Sequence, residues 1–272
     1  MSDYFSSGSA HFYDCRGGQI LPAYDAGLRE ARVRNLYASP TTVNGDVRKN
    51  FGLDRWKQGL LVDTVMQNPQ MADEELDAYK KRIGELVRVP ASTASDFGTL
   101  LHNALEHSPS YPADESLHPW LREYGKWHDE NVREVIANEM MVAHHGIGIA
   151  GKTDLICVLK DGRTAVVDYK TTEFKPKKTG DNLFYKSWSW QLAFYAEAYR
   201  QQVGLMERPV CISLAINSKN LEPPKPREWS LERIEIAWKS FAMHAWLWSD
   251  DQGREGYWPV GRWEINDILA NQ

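Results

Sequence analysis

The stretch Gly151–Lys170, GKTDLICVLKDGRTAVVDYK, decides how the centre of the chain folds. It contains two apolar runs typical of β-strands, separated by the turn residues Lys160-Asp161-Gly162. Charge interrupts both runs, because Asp154 lies in the first and Asp168 and Lys170 lie in the second. Burying such charges among valines costs several kcal/mol unless a cation or another partner compensates. The stretch therefore predicts a β-hairpin that carries a functional site.

The loop of this hairpin determines which side chains meet. A three-residue loop, with Gly162 in the left-handed conformation, places Asp154 opposite Asp168. The two-residue period of a strand then puts Lys170 on the same face. A two-residue Asp-Gly turn is the alternative, and it would turn Asp154 to the other face. We expect the three-residue loop.

Two carboxylates and an ammonium group at one point indicate a particular chemistry. The oxygen donors suit a hard divalent ion such as Mg²⁺ or Mn²⁺. A lysine beside them can hold an attacking water or stabilise charge that develops on a phosphate. The pattern favours phosphodiester hydrolysis. The alternative is a charged hairpin whose Asp and Lys side chains merely pair.

Composition narrows the class of protein. The chain has 272 residues, of which 42% are hydrophobic and 25% charged, so a wholly disordered or low-complexity protein is excluded. Three widely spaced cysteines do not suit a disulfide framework, a zinc ribbon or an iron-sulfur cluster. We find no apolar run long enough for a membrane span and no signal-peptide pattern, and we expect a soluble, cytoplasmic protein without membrane contact.

The order of predicted elements indicates a mixed α/β protein. Helical periodicity is found at 53–67, 73–87, 95–107 with Ser95 as its N-cap, 119–132, 184–203 and 231–248. Strands are predicted at 135–143, 147–159, 163–171 and 209–216. The proline-rich residues 217–228 are expected to form a stiff surface connection, and His144-His145 a turn rather than a metal-binding pair. We expect a mostly helical segment over 1–90, packed on a core over 91–272 that ends in a helix.

Four motifs in order resemble one family. Gly-x-x-Asp at 151–154, followed by Asp-x-Lys at 168–170, is similar to the core of the PD-(D/E)XK nuclease superfamily. The helical stretch 98–106, GTLLHNALE, and the Gln-x-x-x-Tyr motif at 191–195 resemble the RecB-type exonuclease branch, which includes Cas4 and the phage and mitochondrial exonucleases. The resemblance covers about residues 95–200. It implies a restriction-endonuclease-like mixed β-sheet core flanked by helices, with an N-terminal helical layer.

The resemblance also implies roles for individual residues. Asp154, Asp168 and the backbone carbonyl of Tyr169 would bind Mg²⁺ or Mn²⁺, with His102 as a further ligand. Lys170 would orient the nucleophilic water. Glu139 would bind the metal or its water. Gln191 and Tyr195 would complete the site at the sheet edge. From the residues alone, the favoured interpretation of His102 is a packing residue on a helix beside Leu101 and Leu105. No iron-sulfur cluster is carried over, because the four cysteines that bind one are absent.

The substrate expected from this resemblance is DNA. The net charge of -5 argues against tight non-specific binding, but Lys175, Lys177 and Lys178 follow directly on the Asp-x-Lys strand and are candidates for phosphate contacts. We expect a metal-dependent DNA exonuclease of viral recombination, replication or repair, acting in the host cytoplasm if viral, with a single-strand annealing or single-strand binding protein as a candidate partner. The alternatives are an endonuclease or flap-trimming nuclease on the same core, and a catalytically silent DNA-binding scaffold.

Overall fold

The computed structural model describes residues 10–47, 51–106, 115–175 and 180–270. The N-terminal part alternates short strands with helices. Its elements are β1 (Phe12–Asp14), β2 (Leu21–Pro22), α1 (Leu28–Arg34), β3 (Tyr37–Ala38), α2 (Pro40–Val47), α3 (Phe51–Gln67) and α4 (Leu76–Glu106). In the described part of the chain, no helix is both long and apolar enough to cross a membrane.

The rest of the chain supplies most of the sheet structure. Its elements are α5 (His118–Asn131), β4 (Val132–Asn138), β5 (Met141–His144), β6 (Ile149–Lys152), β7 (Leu155–Leu159), β8 (Thr164–Thr172), α6 (Lys186–Val203), β9 (Val210–Asn217), β10 (Lys225–Trp229), α7 (Leu231–Asp251) and α8 (Ile265–Ala270). Short 3₁₀ turns lie at Arg16–Gly18, Glu115–Leu117 and Gly180–Leu183.

The strands form two mixed sheets. The first has the order β2-β1-β3-β6-β5, and the second has the order β10-β9-β8-β7-β4. Each contains one parallel pair, β3 with β6 and β8 with β9, among antiparallel neighbours. This arrangement confirms the predicted mixed α/β fold. The proposed division of the chain at residue 90 stays a prediction.

The second sheet is covered on both faces. On one face, Val166 of β8 packs with Leu192 and Phe194 of α6 and with the aromatic side chains of α7. On the other face, Val167 and Tyr169 pack with α4 and α5. Alternation along β8 thus sends Asp168 and Lys170 to the face that α6 covers.

The predicted hairpin register is confirmed. Leu155 pairs with Val167 and Cys157 with Ala165, which is the register of a three-residue loop. Gly162 has φ +95° and its N–H donates to the Leu159 carbonyl at 3.0 Å. The two-residue alternative is therefore excluded.

Two predicted strands are wrong in one respect, because each is divided between the two sheets. The predicted strand 135–143 breaks at Glu139, which has φ +50°, and 147–159 breaks at Thr153 and Asp154. The breaks lie side by side, since Glu139 N–H donates to the Asp154 carbonyl and Thr153 N–H to the Met140 carbonyl. Each break coincides with consecutive polar residues, Asn138-Glu139 and Lys152-Thr153-Asp154, and the sequence analysis assigned these polar residues to continuous strands.

Two other predictions are corrected. The helices predicted at 73–87 and 95–107 are one helix, α4, so Ser95 lies inside it and is not an N-cap. The helix continues through Pro90, although a proline inside a helix removes one backbone donor and clashes with the preceding turn. The stretch 217–228 contains β10, where Pro226 is tolerated because the strand lies at a sheet edge. The strands β1 to β3 were not predicted, since two or three residues show no periodicity.

Candidate active site

The candidate site lies where β7 and β8 part. Their ladder ends at the pair Leu155 and Val167, while β8 continues to Thr172 beside β9. The backbone of β8 beyond Val167 therefore has no strand partner on the β7 side. Asp154 takes this place, and its Oδ2 accepts a hydrogen bond from the Tyr169 N–H at 2.6 Å. The strand break, which the sequence analysis did not predict, brings Asp154 to the unpaired backbone edge of β8.

Asp168 is the most buried carboxylate of the site, with a side chain that is 2% exposed. Lys170 Nζ lies 2.7 Å from each of its oxygens, but only Oδ1 accepts a hydrogen bond of good geometry. Oδ2 is buried without a hydrogen-bond partner among the residues that the structure describes. Oδ2 therefore has the Lys170 charge beside it but no hydrogen bond of good geometry, and a buried carboxylate oxygen in this condition can accept a further ligand.

Lys170 belongs to a chain of hydrogen bonds that reaches into α6. Its Nζ donates to Gln191 Oε1 at 3.1 Å, and Gln191 Nε2 donates to the Tyr195 hydroxyl at 2.9 Å. Gln191 and Tyr195 share a helix face because they are four residues apart. Gln191 thereby fixes the ammonium group against Asp168. The predicted grouping of these four side chains is present.

Burial changes the protonation of both carboxyl groups. Desolvation raises the pKa of Asp154 to about 6, against the opposing effect of the Lys170 charge. Desolvation likewise raises the pKa of Asp168 to about 6, and repulsion from Asp154 adds to this shift while Lys170 opposes it. Two carboxylates that repel each other in a buried place need additional positive charge. A divalent cation would supply it.

His102 approaches the carboxylates from α4. Its Nδ1 lies 3.9 Å from Asp154 Oδ1, and its ring contacts Tyr169 edge to face. Desolvation lowers its pKa to about 4, with the Lys170 charge contributing, so the imidazole is neutral at physiological pH and can donate a lone pair. One turn earlier, a Cβ at Gly98 would lie 2.9 Å from Thr171 Oγ1, so α4 passes close to β8 and a larger residue there would require the Thr171 side chain to move.

Tyr169 contributes through its backbone. Its side chain is buried on the opposite face, where its hydroxyl shares a 2.7 Å hydrogen bond with Tyr124. The N–H and C=O of one strand residue point to the same side, so the carbonyl of Tyr169 faces the same edge as the N–H that binds Asp154. This agrees with the backbone ligand that the family resemblance implies.

Glu139 lies near this group but is held by another residue. Its carboxylate forms an ion pair with Lys152, the last residue of β6. Among the described residues, no three His, Cys, Asp or Glu side chains are placed to hold a metal ion together. The structure therefore brings together Asp154, Asp168 and the Tyr169 backbone, and it leaves both Glu139 and His102 beside them rather than in one cluster. The sequence analysis gave Lys152 no role. The signal was its spacing, because Lys152 lies two residues before Asp154, just as Lys170 lies two residues after Asp168.

The predicted basic residues are only partly described. Lys175 is exposed just beyond β8 and lies 3.4 Å from Glu173. Lys177 and Lys178 lie outside the described residues. The turn predicted at His144-His145 begins only at His145, because His144 is the last residue of β5. Their rings point apart, since His144 stacks on Trp238 and His145 contacts Tyr37.

The residues present fit a hard divalent cation. Two carboxylates and a backbone carbonyl are the oxygen donors that Mg²⁺ and Mn²⁺ prefer, and a neutral imidazole is acceptable to Mn²⁺. Oδ2 of Asp168, which accepts no hydrogen bond among the described residues, is the donor atom that this carboxylate offers to a metal. The site can therefore hold a metal with Lys170 next to it.

Comparisons with known proteins agree with this geometry in part. No curated protein sequence matches the chain. A solved structure described as "Crystal structure of SSO0001" aligns with 72% of this chain and 88% of that chain, at 14% identity and a TM-score of 0.30. Residues 113–229, which include Asp154, Asp168, Lys170 and the Gln191–Tyr195 pair, match the family model of the PD-(D/E)XK nuclease superfamily.

Proposed function

We propose that this protein is a metal-dependent deoxyribonuclease that hydrolyses phosphodiester bonds of DNA. The observation that carries the proposal is the buried Asp168 carboxylate, placed beside Asp154 and Lys170 with one oxygen that accepts no hydrogen bond among the described residues. A merely structural Asp–Lys pair would need no second buried carboxylate beside it. The family match over 113–229 supports the same chemistry.

Asp154, Asp168 and the Tyr169 carbonyl would hold Mg²⁺ or Mn²⁺, with His102 as an additional ligand. A bound divalent ion supplies Lewis acidity toward a phosphoryl oxygen. Lys170, fixed by Gln191 and through it by Tyr195, orients an attacking water and stabilises charge that develops on the phosphate. Because Asp168 and Lys170 are largely shielded from solvent, these interactions are stronger than they would be in water.

The proposal in its finer form is an exonuclease of the RecB/Cas4-like branch. It rests on the helix that carries His102 and on the Gln191–Tyr195 pair, both of which lie against the carboxylates in the order that the branch has. We propose a role in viral DNA recombination, replication or repair, in the host cytoplasm, with Lys175, Lys177 and Lys178 contacting phosphates. A single-strand annealing or single-strand binding protein is the proposed partner.

The test uses end-labelled single- and double-stranded DNA with Mg²⁺ or Mn²⁺, and product sizes are followed over time. An exonuclease releases short products from linear DNA and leaves closed circular DNA intact, whereas an endonuclease cuts the circle. The matched variants are Asp168→Asn and Asp161→Asn, because Asp161 lies in the exposed hairpin loop. DNA binding without hydrolysis by the wild type would identify a silent scaffold and refute the proposal.

A further inference from the structure

The Lys152–Glu139 ion pair lies at the joint between the two sheets, directly beside the proposed metal-binding carboxylates. Lys152 ends β6 and its side chain is only 17% exposed, so its ammonium group is held at Glu139 by the surrounding structure. The backbone N–H of Glu139 donates to the carbonyl of Asp154 at 3.1 Å. Glu139 and Asp154 are thus adjacent across the strand break.

The charges of this pair act on the site itself. Glu139 opposes ionisation of Asp154 and favours protonation of His102, whereas Lys152 has the opposite effect on both groups. The ion pair therefore lies within electrostatic range of the carboxylates without being bonded to them. It is a distinct pair of charges at the rim of the site.

We propose that Lys152 takes the place of a second metal ion. Two-metal sites in nucleases hold their ions about 4 Å apart, so a second cation would lie next to the first. Glu139, adjacent to Asp154 across the strand break, is the carboxylate placed to bind such an ion. The Lys152 ammonium already satisfies it. When Asp154, Asp168 and Glu139 are ionised, they carry three negative charges, and Lys152 and Lys170 carry two positive charges. The cluster therefore has a net charge of −1, and one divalent cation makes it positive. A second cation would then have to displace Lys152 against the net charge of the cluster, so the wild type binds one metal ion per chain.

This inference rests on the proposed function only in taking Asp154 and Asp168 as the metal site, and its test measures metal binding. Isothermal titration of the metal-free protein with Mn²⁺ should give one ion per chain for the wild type. Lys152→Met keeps the length of the side chain but removes the charge, and it should give two ions. The double variant Lys152→Met with Glu139→Gln should return to one ion, and the charge-conserving Lys152→Arg should remain at one.

The outcomes separate the two proposals. A wild type that binds one ion, together with a folded Lys152→Met that also binds one, overturns this inference and leaves the proposed function intact. Two ions in the wild type overturn the inference as well. A wild type that binds no Mn²⁺ overturns both. Should Lys152→Met fail to fold, as judged by circular dichroism, Lys152→Gln serves as the uncharged variant.

Discussion

The backbone N–H of Tyr169 holds Oδ2 of Asp154 at 2.6 Å, where β7 and β8 no longer pair. In a regular β-ladder the Tyr169 N–H would donate to a backbone carbonyl of the neighbouring strand. Here the side-chain carboxylate of Asp154 takes the place of that carbonyl. This arrangement keeps Asp154 close to Asp168, and the raised pKa of both groups follows from their burial together.

The metal-free protein should become less stable as pH rises from about 4 to 6. The folded pKa of Asp168 is about 6, above the value of 3.8 for an unperturbed group. The folded state therefore binds the proton more tightly, and the stabilisation present below pH 4 is lost through this window. Asp168→Asn should stabilise the metal-free protein by roughly 1–3 kcal/mol at pH 8 and by little near pH 4. Thermal melts in EDTA measure both values.

The control for this prediction is Asp161→Asn. Hydrogen bonds from Arg163 lower the pKa of Asp161, so its replacement should not stabilise the protein at pH 8. Added Mg²⁺ should raise the melting temperature of the wild type but not that of Asp168→Asn. Equal melting curves for wild type and Asp168→Asn at pH 8 in EDTA would show that Asp168 is not a strained carboxylate.

Lys170→Met should lower kcat by about 10²-fold and leave KM for DNA nearly unchanged, because Lys170 acts mainly in the transition state. Gln191→Ala should cause a smaller loss, of about 10-fold, since Gln191 acts through the 3.1 Å hydrogen bond to Lys170. The double variant should be no slower than Lys170→Met. Steady-state rates for the three variants test this non-additivity.

A suitable control lies on the same helix. Gln202 is exposed and its side chain contacts only the Met141 carbonyl in the described structure, at 3.4 Å, so Gln202→Ala should leave kcat unchanged. Additive losses for Lys170→Met and Gln191→Ala would mean that Gln191 acts independently of the lysine.

His102→Ala should raise the Mn²⁺ concentration needed for half-maximal rate. Because the pKa of His102 is about 4, the imidazole is neutral from pH 5.5 upward, and the effect of the substitution should not depend on pH above that value. His145→Ala is the matched control, since His145 contacts Tyr37 at the far end of the first sheet. Superimposable Mn²⁺ titrations of wild type and His102→Ala would assign His102 to packing alone.

Gly162→Val should destabilise the protein by about 1 kcal/mol or more, because φ is +95° and β-branched residues avoid this region. A Cβ there would meet only Arg133 Nη1 at 3.8 Å, so the cost comes from the backbone. Nuclease activity should fall as well, since a one-residue slip turns Asp154 away from Asp168. Gly162→Asn should be milder, and chemical denaturation compares the two. If the Gly162→Val protein were as stable and active as Gly162→Asn, the hairpin would not require a left-handed backbone conformation at residue 162.

The sequence predicted the part of the site that depends on local periodicity. The hairpin register and the shared face of Asp168 and Lys170 follow from Gly162 and from the alternation of side chains, and both are present in the structure. Gln191 and Tyr195 share a helix face for the same local reason. Such relationships need no knowledge of distant residues.

The remaining features depend on contacts between distant parts of the chain. The break at Glu139 and Asp154 coincides with short polar runs, but a polar run alone does not distinguish a strand that changes sheet from a continuous strand with a charged site. The ion pair of Glu139 with Lys152 follows only from that break. The single helix α4 and the strand β10 are held by their neighbours rather than by local signals.

The parallel pairing of Ala38 with Ile149 has a consequence for how the protein reaches its native state. The first sheet joins residues separated by more than 100 positions, so it cannot close until the chain has been synthesised beyond β6. Until then the edge of β3 lacks its partner. Pairings of such high contact order are slow, and nascent chains ending before residue 149 should be prone to aggregation and dependent on chaperones. Closure of this sheet also orders the strand that leads into Asp154, so acquisition of activity should coincide with the last folding step.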